Sequence, residues 1–232
     1  MFIPFDPMYL VFAIPGVLLS LWASFYTKST FARYSQVRSG RGMTGAQAAA
    51  AMLAHQGVRN VVIEPVRGML TDHYDPSSKT LRLSEQVYSS QSLSAVGVAC
   101  HEAGHALQDA TNYAMLGLRS ALVPATNLGS NLSYIIFILG MFLRSRPLLI
   151  VGVVLFFLTV LFALVTLPVE WNATARAKKA MVTAGIVTEQ ERYEAGQVLN
   201  AAFLTYVAAA VTAIMTLLYY LLRSGLLGGR RD

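Results

Sequence analysis

Charged residues are scarce in this chain. They make up 13% of its 232 residues, against 55% hydrophobic, and the mean hydropathy is +0.50. Such a composition excludes an ordinary soluble domain and points to several membrane spans joined to a modest polar part. Cysteine is nearly absent: Cys100 stands alone, so no intrachain disulfide can form and the redox compartment stays open. The start, MFIPFDPMYL, has neither a basic n-region nor a small-residue cleavage site, so the first apolar segment reads as a retained span. No stretch interleaves basic and aromatic residues as nucleic-acid-binding patches do. The net charge of +6 is therefore assigned to membrane topology, not to a nucleic-acid partner. The middles of the spans also lack charge, which speaks against a channel or transporter. No internal repeat is visible, and no Ser–His–acid arrangement is readable around VYSSQSLS.

What is present sorts into spans and a polar segment. Met8–Tyr26 carries no charge and is long enough as a helix to cross about 30 Å of hydrocarbon. Residues 28–91 are mixed. Thr44 as N-cap and Gly57 just past the end bracket a helix over 44–57, and VRNVVIEPV, GMLTDHYD and KTLRLS read as short strands of a small sheet. A helical pattern then runs from Ser92 to about Ala110. Apolar segments follow at 132–143, extendable back to about Leu122, and at 148–167, with RSRP between them as a hairpin. A charged helical stretch, broken near Gly185 and restarted by a capping box of Thr188 and Glu191, leads into a last span over about 201–222. The fold class is thus a mainly α membrane protein with about four transmembrane helices and a small α+β domain between spans 1 and 2. The segments are 1–27 (first span), 28–120 (polar α+β domain), 121–167 (hairpin), 168–200 (helical segment) and 201–232 (last span and basic tail).

The polar helix holds the chemically distinctive motif, His101-Glu102-x-x-His105. Residues four apart share a helix face, so the two imidazoles can grip one zinc ion. Glu102 lies roughly 100° around the helix, at the metal's border, where a carboxylate serves as general base for a zinc-activated water. With four histidines in the chain, chance formation of this motif is remote. Histidines satisfied in a core are the bland reading. The apolar flanks SLSAVGVAC and AGHAL favour a buried zinc helix instead. Gly104, costly in a helix interior, implies close approach by another backbone or by substrate.

A catalytic zinc needs a third protein ligand and one open position. Glu170 stands two residues after Pro168 and opens the helix EWNATARAKKA in this reading. Two spans separate it from His105, so it returns to the same side of the membrane. Spacing alone leaves two readings open: a ligand, or a glutamate favoured by a helix N-terminal dipole.

Across HEAGH, LPVEWNATARA, LTDHYDP, SALVPATNLGSNLS and NAAFLTYVAAA, essentially its whole length, the chain resembles the YugP-type family of bacterial membrane proteins, which are neutral zinc metallopeptidases. That family is similar in layout to the HtpX-like membrane proteases. The resemblance implies His101 and His105 as zinc ligands, Glu102 as catalytic base and Glu170 as third ligand. The HtpX-like pattern has an aspartate four residues after the ligand glutamate, where this chain has Thr174. Asn172, Thr174 or Asp109 would then orient the zinc histidines in its place. His73, with its neighbour Tyr74, and Arg176 have the chemistry to stabilise an oxyanion. A polar turn and a surface ion pair are their plain alternatives.

Lys28, Arg33, Arg38 and Arg41 after span 1, with Arg176, Lys178 and Lys179 after span 3, place the motif side in the cytoplasm. Arg144, Arg146, Arg223, Arg230 and Arg231 argue the other way and are fewer. The expectation is a multi-pass enzyme of the bacterial cytoplasmic membrane with a zinc cofactor, acting on membrane-associated polypeptides. An oligomer or a regulatory membrane partner fits equally. Its rivals are a non-catalytic scaffold pinned by structural zinc and a hydrolase of non-peptide substrates.

Overall fold

A computed structural model describes residues 6–227. The chain is mainly helical: α1 (Pro7–Ser35), α2 (Gly45–His55), β1 (Val62–Val66), β2 (His73–Asp75), β3 (Thr80–Ser84), α3 (Glu85–Ser89), α4 (Leu93–Ala110), α5 (Ala114–Phe142), α6 (Arg146–Thr183) and α7 (Glu189–Arg223). Among the described residues, α1, α5, α6 and α7 are long and apolar enough to cross a membrane. This is a membrane protein.

Two compact units share these elements. One comprises the described residues up to Ala23, Leu118–Leu167 and those from Thr205 on. Its helices present large apolar side chains outward, among them Leu18, Leu21, Leu128, Ile135, Val154 and Phe157, a surface suited to lipid and untenable in water. Its small interior is aromatic: the rings of Phe137 and Tyr220 stack at 3.7 Å and 5°. Gly16 lets α1 approach α7, where an added Cβ would meet Thr212 Oγ1 at 2.8 Å.

The second unit is Ser24–Gly117 with Pro168–Leu204. Its sheet has the order β1-β3-β2, β1 parallel to β3 and β2 antiparallel to it. Leu81 and Leu83 of the central β3 are fully buried. Pro65 sits on the edge strand β1, where a missing N–H is tolerated. On β3, Arg82 ties its neighbours together through Glu64 (2.8 Å) and Asp75 (3.4 Å). Behind the sheet, α2, α3 and α4 pack their small and apolar faces with Met181 and Ile186 into one core. The capping box at Thr44 and Gln47 starts α2 as the sequence implies. Asp72 takes hydrogen bonds from Ser84 N (2.7 Å) and Ser84 Oγ (3.0 Å), closing the β2 end of the sheet onto α3.

The helices differ from expectation mainly at their ends. No new helix opens at Glu170, because α6 runs unbroken from Arg146 to Thr183 and carries Pro168 inside it. Membrane helices tolerate such a proline when neighbours satisfy the freed carbonyl. Glu170 is therefore more than six turns from the start of its own helix at Arg146, which removes the dipole explanation for its place. The break near Gly185 is real: Gly185 takes φ +65°, and Thr188 and Glu191 exchange hydrogen bonds of 2.8 and 3.2 Å to start α7. Glu191 also accepts from Gly40 N at 2.6 Å, tying α7 to the loop after α1.

Candidate metal centre

The centre is built where α4 meets the second half of α6. Ser92 caps α4 by accepting from Ala95 N at 3.3 Å. Small residues on one face then let the helix sink fully into the core: Ala95, Ala99, Ala103 and Ala106 are essentially inaccessible. Gly104 faces α6. A Cβ there would lie 2.6 Å from the Ala173 carbonyl oxygen, a clash no real side chain survives. The glycine thus permits close approach of another backbone, one of the two readings its presence suggested.

That contact delivers Glu170 to the paired imidazoles. Its Oε2 is 3.2 Å from His101 Nε2 and 3.5 Å from His105 Nε2. One donor atom from each of the three residues lies within 4.8 Å of the other two. Glu170 is 1% and His105 6% exposed, whereas His101 is half-buried, so the cluster is closed on one side and open on the other. Glu102 is half-buried beside them and has no hydrogen-bond partner among the described residues.

The far ring nitrogens are fixed by a chain of hydrogen bonds that runs in one direction. Arg176 Nε can only donate, and it donates to Asn172 Oδ1 at 2.7 Å. Gln108 Nε2 donates to the same oxygen at 3.0 Å and to the Val169 carbonyl at 2.7 Å. With its amide nitrogen so engaged, Gln108 turns Oε1 to His105 Nδ1 at 3.0 Å. That nitrogen must carry the proton, which leaves a lone pair on Nε2 facing Glu170. Thr174 Oγ1 lies 3.2 Å from His101 Nδ1, and as a hydroxyl it can accept that ring's proton and leave Nε2 facing Glu170. Burial works against the imidazolium form of His105, yet the Glu170 and Glu102 carboxylates outweigh it and hold its pKa above the ordinary value. The pocket is built for positive charge.

Comparison with known proteins gives the chemistry a family. Residues 9–225 match the family described as "Putative neutral zinc metallopeptidase". The chain belongs to that family. A "Putative membrane protease YugP" of Bacillus subtilis (strain 168) is 44% identical over 215 residues, covering 93% of this chain and 96% of that protein. No solved structure matches the chain.

For a member of a zinc metallopeptidase family the donor set fits. Tetrahedral zinc with ligand bonds near 2.0–2.1 Å sets its ligand atoms about 3.3 Å apart, and the two nitrogen–oxygen separations bracket that value. At such distances an imidazole nitrogen and a carboxylate oxygen are bridged either by a cation or by a proton on the imidazole.

The remaining candidates fall in other places. Asn172 acts through Gln108, and Arg176 through Asn172. Arg176 also reaches the Leu107 carbonyl (3.4 Å), and its guanidinium lies 5.8 Å from the centroid of the Tyr113 ring. Asp109 does not orient a histidine: it accepts from Tyr74 Oη and Lys79 Nζ, each at 2.6 Å, and so pins the β2–β3 hairpin to α4. Burial and the Asp109 partner push the Tyr74 phenol up, keeping it a donor. His73 is exposed on the edge strand β2, its Nδ1 2.7 Å from the Thr71 carbonyl. Cys100 is fully buried, and desolvation pushes its thiol well up, so it is chemically silent. Sequence reading missed Gln108; the signal was a lone amide three residues after His105, on the same face of an otherwise apolar helix.

Two outcomes are expected. Gly104→Ala should normally gain about 1 kcal/mol of helix propensity, but here it should lower the melting temperature in detergent and weaken zinc retention; a more stable, zinc-replete variant would contradict the α4–α6 contact. Gln108→Leu should reduce zinc affinity roughly 10–100-fold in a chelator competition, and unchanged affinity would remove its orienting role.

Proposed function

We propose that this protein is a membrane-embedded zinc-dependent endopeptidase of the gluzincin type. His101, His105 and Glu170 hold the metal, and Glu102 is the general base. The observation that carries this reading is the cluster itself: two imidazoles and a buried carboxylate converge on one point, and the Glu102 carboxylate, close enough to act on His105 electrostatically, has no hydrogen-bond partner among the described residues.

Zinc in this site supplies a Lewis acid that polarises a carbonyl and acidifies water. The chain's own residues do the rest. Glu102 takes a proton from the attacking water and returns it to the leaving amide nitrogen, so one carboxylate serves both halves of the hydrolysis. It is suited to this because no neighbour occupies its oxygens. The Arg176–Asn172–Gln108 chain and Thr174 keep both imidazoles presenting Nε2 throughout. Arg176 is therefore a positioning residue through its Nε, and its remaining N–H groups add positive potential nearby. The edge strand β2 offers unpaired backbone groups to an extended substrate, and His73 on that strand is the candidate oxyanion donor.

Substrates are polypeptides, membrane-associated or misfolded, reached from the cytoplasmic side. That side follows from the Lys and Arg residues flanking spans 1 and 3. A structural-zinc scaffold would need neither an open side nor a free glutamate at the metal. Glu102→Gln separates the two: we expect peptide hydrolysis to fall about 10²–10⁴-fold with zinc content unchanged. Full activity in that variant would end the catalytic assignment.

A further inference from the structure

Helix α5 uses one face inside the chain and leaves the opposite face unmatched. Gly129, Ser133, Phe137 and Gly140 are buried, and α6 comes so close that a Cβ on Gly129 would lie 3.0 Å from the Leu155 carbonyl oxygen. On the other face Pro124, Leu128, Asn131, Ile135, Ile138 and Phe142 are all exposed, Leu128 at 67% and Ile135 at 61%. Their spacing alternates between four and three residues, the heptad period that keeps one seam turned towards a partner helix. All but one of them suit hydrocarbon. Asn131 does not, and it stands at the middle of the apolar segment 122–143, where about 30 Å of bilayer core offers no water. One of its N–H groups bonds to the Asn127 carbonyl of its own helix at 3.1 Å. Its side-chain oxygen and second N–H have no partner among the described residues. Asn127, one turn earlier and also exposed, has an amide side chain with no partner there either.

We propose that this face is the interface of a homodimer, in which α5 packs against α5 of a second copy and the two Asn131 amides hydrogen-bond to each other. A primary amide both donates and accepts, so it is its own complement. Copies of one chain share an orientation in the membrane. Related by a two-fold axis along the bilayer normal, their α5 helices run parallel and each residue of the seam meets itself at one depth. A single asparagine in such a seam fixes its register, and in hydrocarbon the amide pair also contributes affinity between helices. Acyl chains would cover the apolar residues equally well and leave the amide unmet. A different membrane protein would need a polar group of its own at the same depth, which a second copy supplies by construction. The interface is separate from the proposed peptidase chemistry, because the residues of the metal centre lie on α4 and α6.

The test measures self-association of the full-length protein in liposomes of phosphatidylcholine and phosphatidylglycerol. Energy transfer between donor- and acceptor-labelled copies is followed as the protein is diluted in lipid. The wild type should dimerise, and Asn131→Leu, which keeps the size and removes the amide, should weaken the dimer roughly tenfold, as an interhelical hydrogen-bond pair provides. Leu18→Ala, on the exposed face of α1, should leave the affinity unchanged. Oxidative cross-linking gives a second readout that does not depend on Asn131. Leu128→Cys and Ile135→Cys should each yield covalent dimers in membranes, whereas Val154→Cys, exposed on α6, should not; Cys100 is buried and stays silent. A chain that remains monomeric at every protein-to-lipid ratio would overturn the proposal, whatever other protein it captures. So would a dimer equally tight in Asn131→Leu, or one that cross-links through Val154→Cys and not through the α5 positions.

Discussion

The close approach of α4 to α6 at Gly104 is the constraint on which the proposed metal centre rests. Two backbones meet where no side chain intervenes, Gly104 against the Ala173 carbonyl, and this brings a buried carboxylate on one helix within 3.5 Å of two imidazoles on the other. Burying Glu170 away from water is expensive unless positive charge compensates it. The compact alanine face of α4 and the unbroken passage of α6 through Pro168 bring that carboxylate and the two imidazoles to one point, where a cation would compensate it. A metal bound there would return the stability that burying the carboxylate costs the fold.

Orientation is the second layer. The donor-only guanidinium of Arg176 fixes the Asn172 amide, which fixes Gln108, which fixes the tautomer of His105. Each link is a matter of which group can donate. The arrangement supplies, through neutral amides and a hydroxyl, what a carboxylate provides in many zinc sites. A neutral partner pushes less electron density through the imidazole than a carboxylate would, and leaves Glu170 and Glu102 as the acidic groups next to the imidazoles.

Much of this could be read from the sequence, for reasons that differ by element. The spans were legible because long uncharged runs have few alternatives, and the motif because a period of four on an apolar helix has one geometric meaning. The capping residues Thr44, Thr188 and Glu191 announced their helix ends through local chemistry. Glu170 was within reach by parity and family resemblance, yet its helix was misjudged: Pro168 looks like a start signal in water and is an interior residue where the bilayer and neighbouring helices hold the chain. Asp109 has the right spacing from His105 to orient it. It was drawn instead to Tyr74 and Lys79, partners contributed by a hairpin thirty or more positions earlier in the chain. Gln108 went unnoticed because its role depends on three residues more than sixty positions away, and no local pattern encodes that.

The central claim is that two histidines and one carboxylate from separate helices hold a single zinc ion. X-ray absorption at the zinc edge, with metal content, on the purified protein and on Glu170→Ala, tests it most directly. The account requires one zinc per chain with two imidazole nitrogens and a carboxylate oxygen at about 2.0–2.2 Å, and loss of that oxygen together with most of the metal in the variant. An unchanged coordination shell and full zinc occupancy in Glu170→Ala would contradict it.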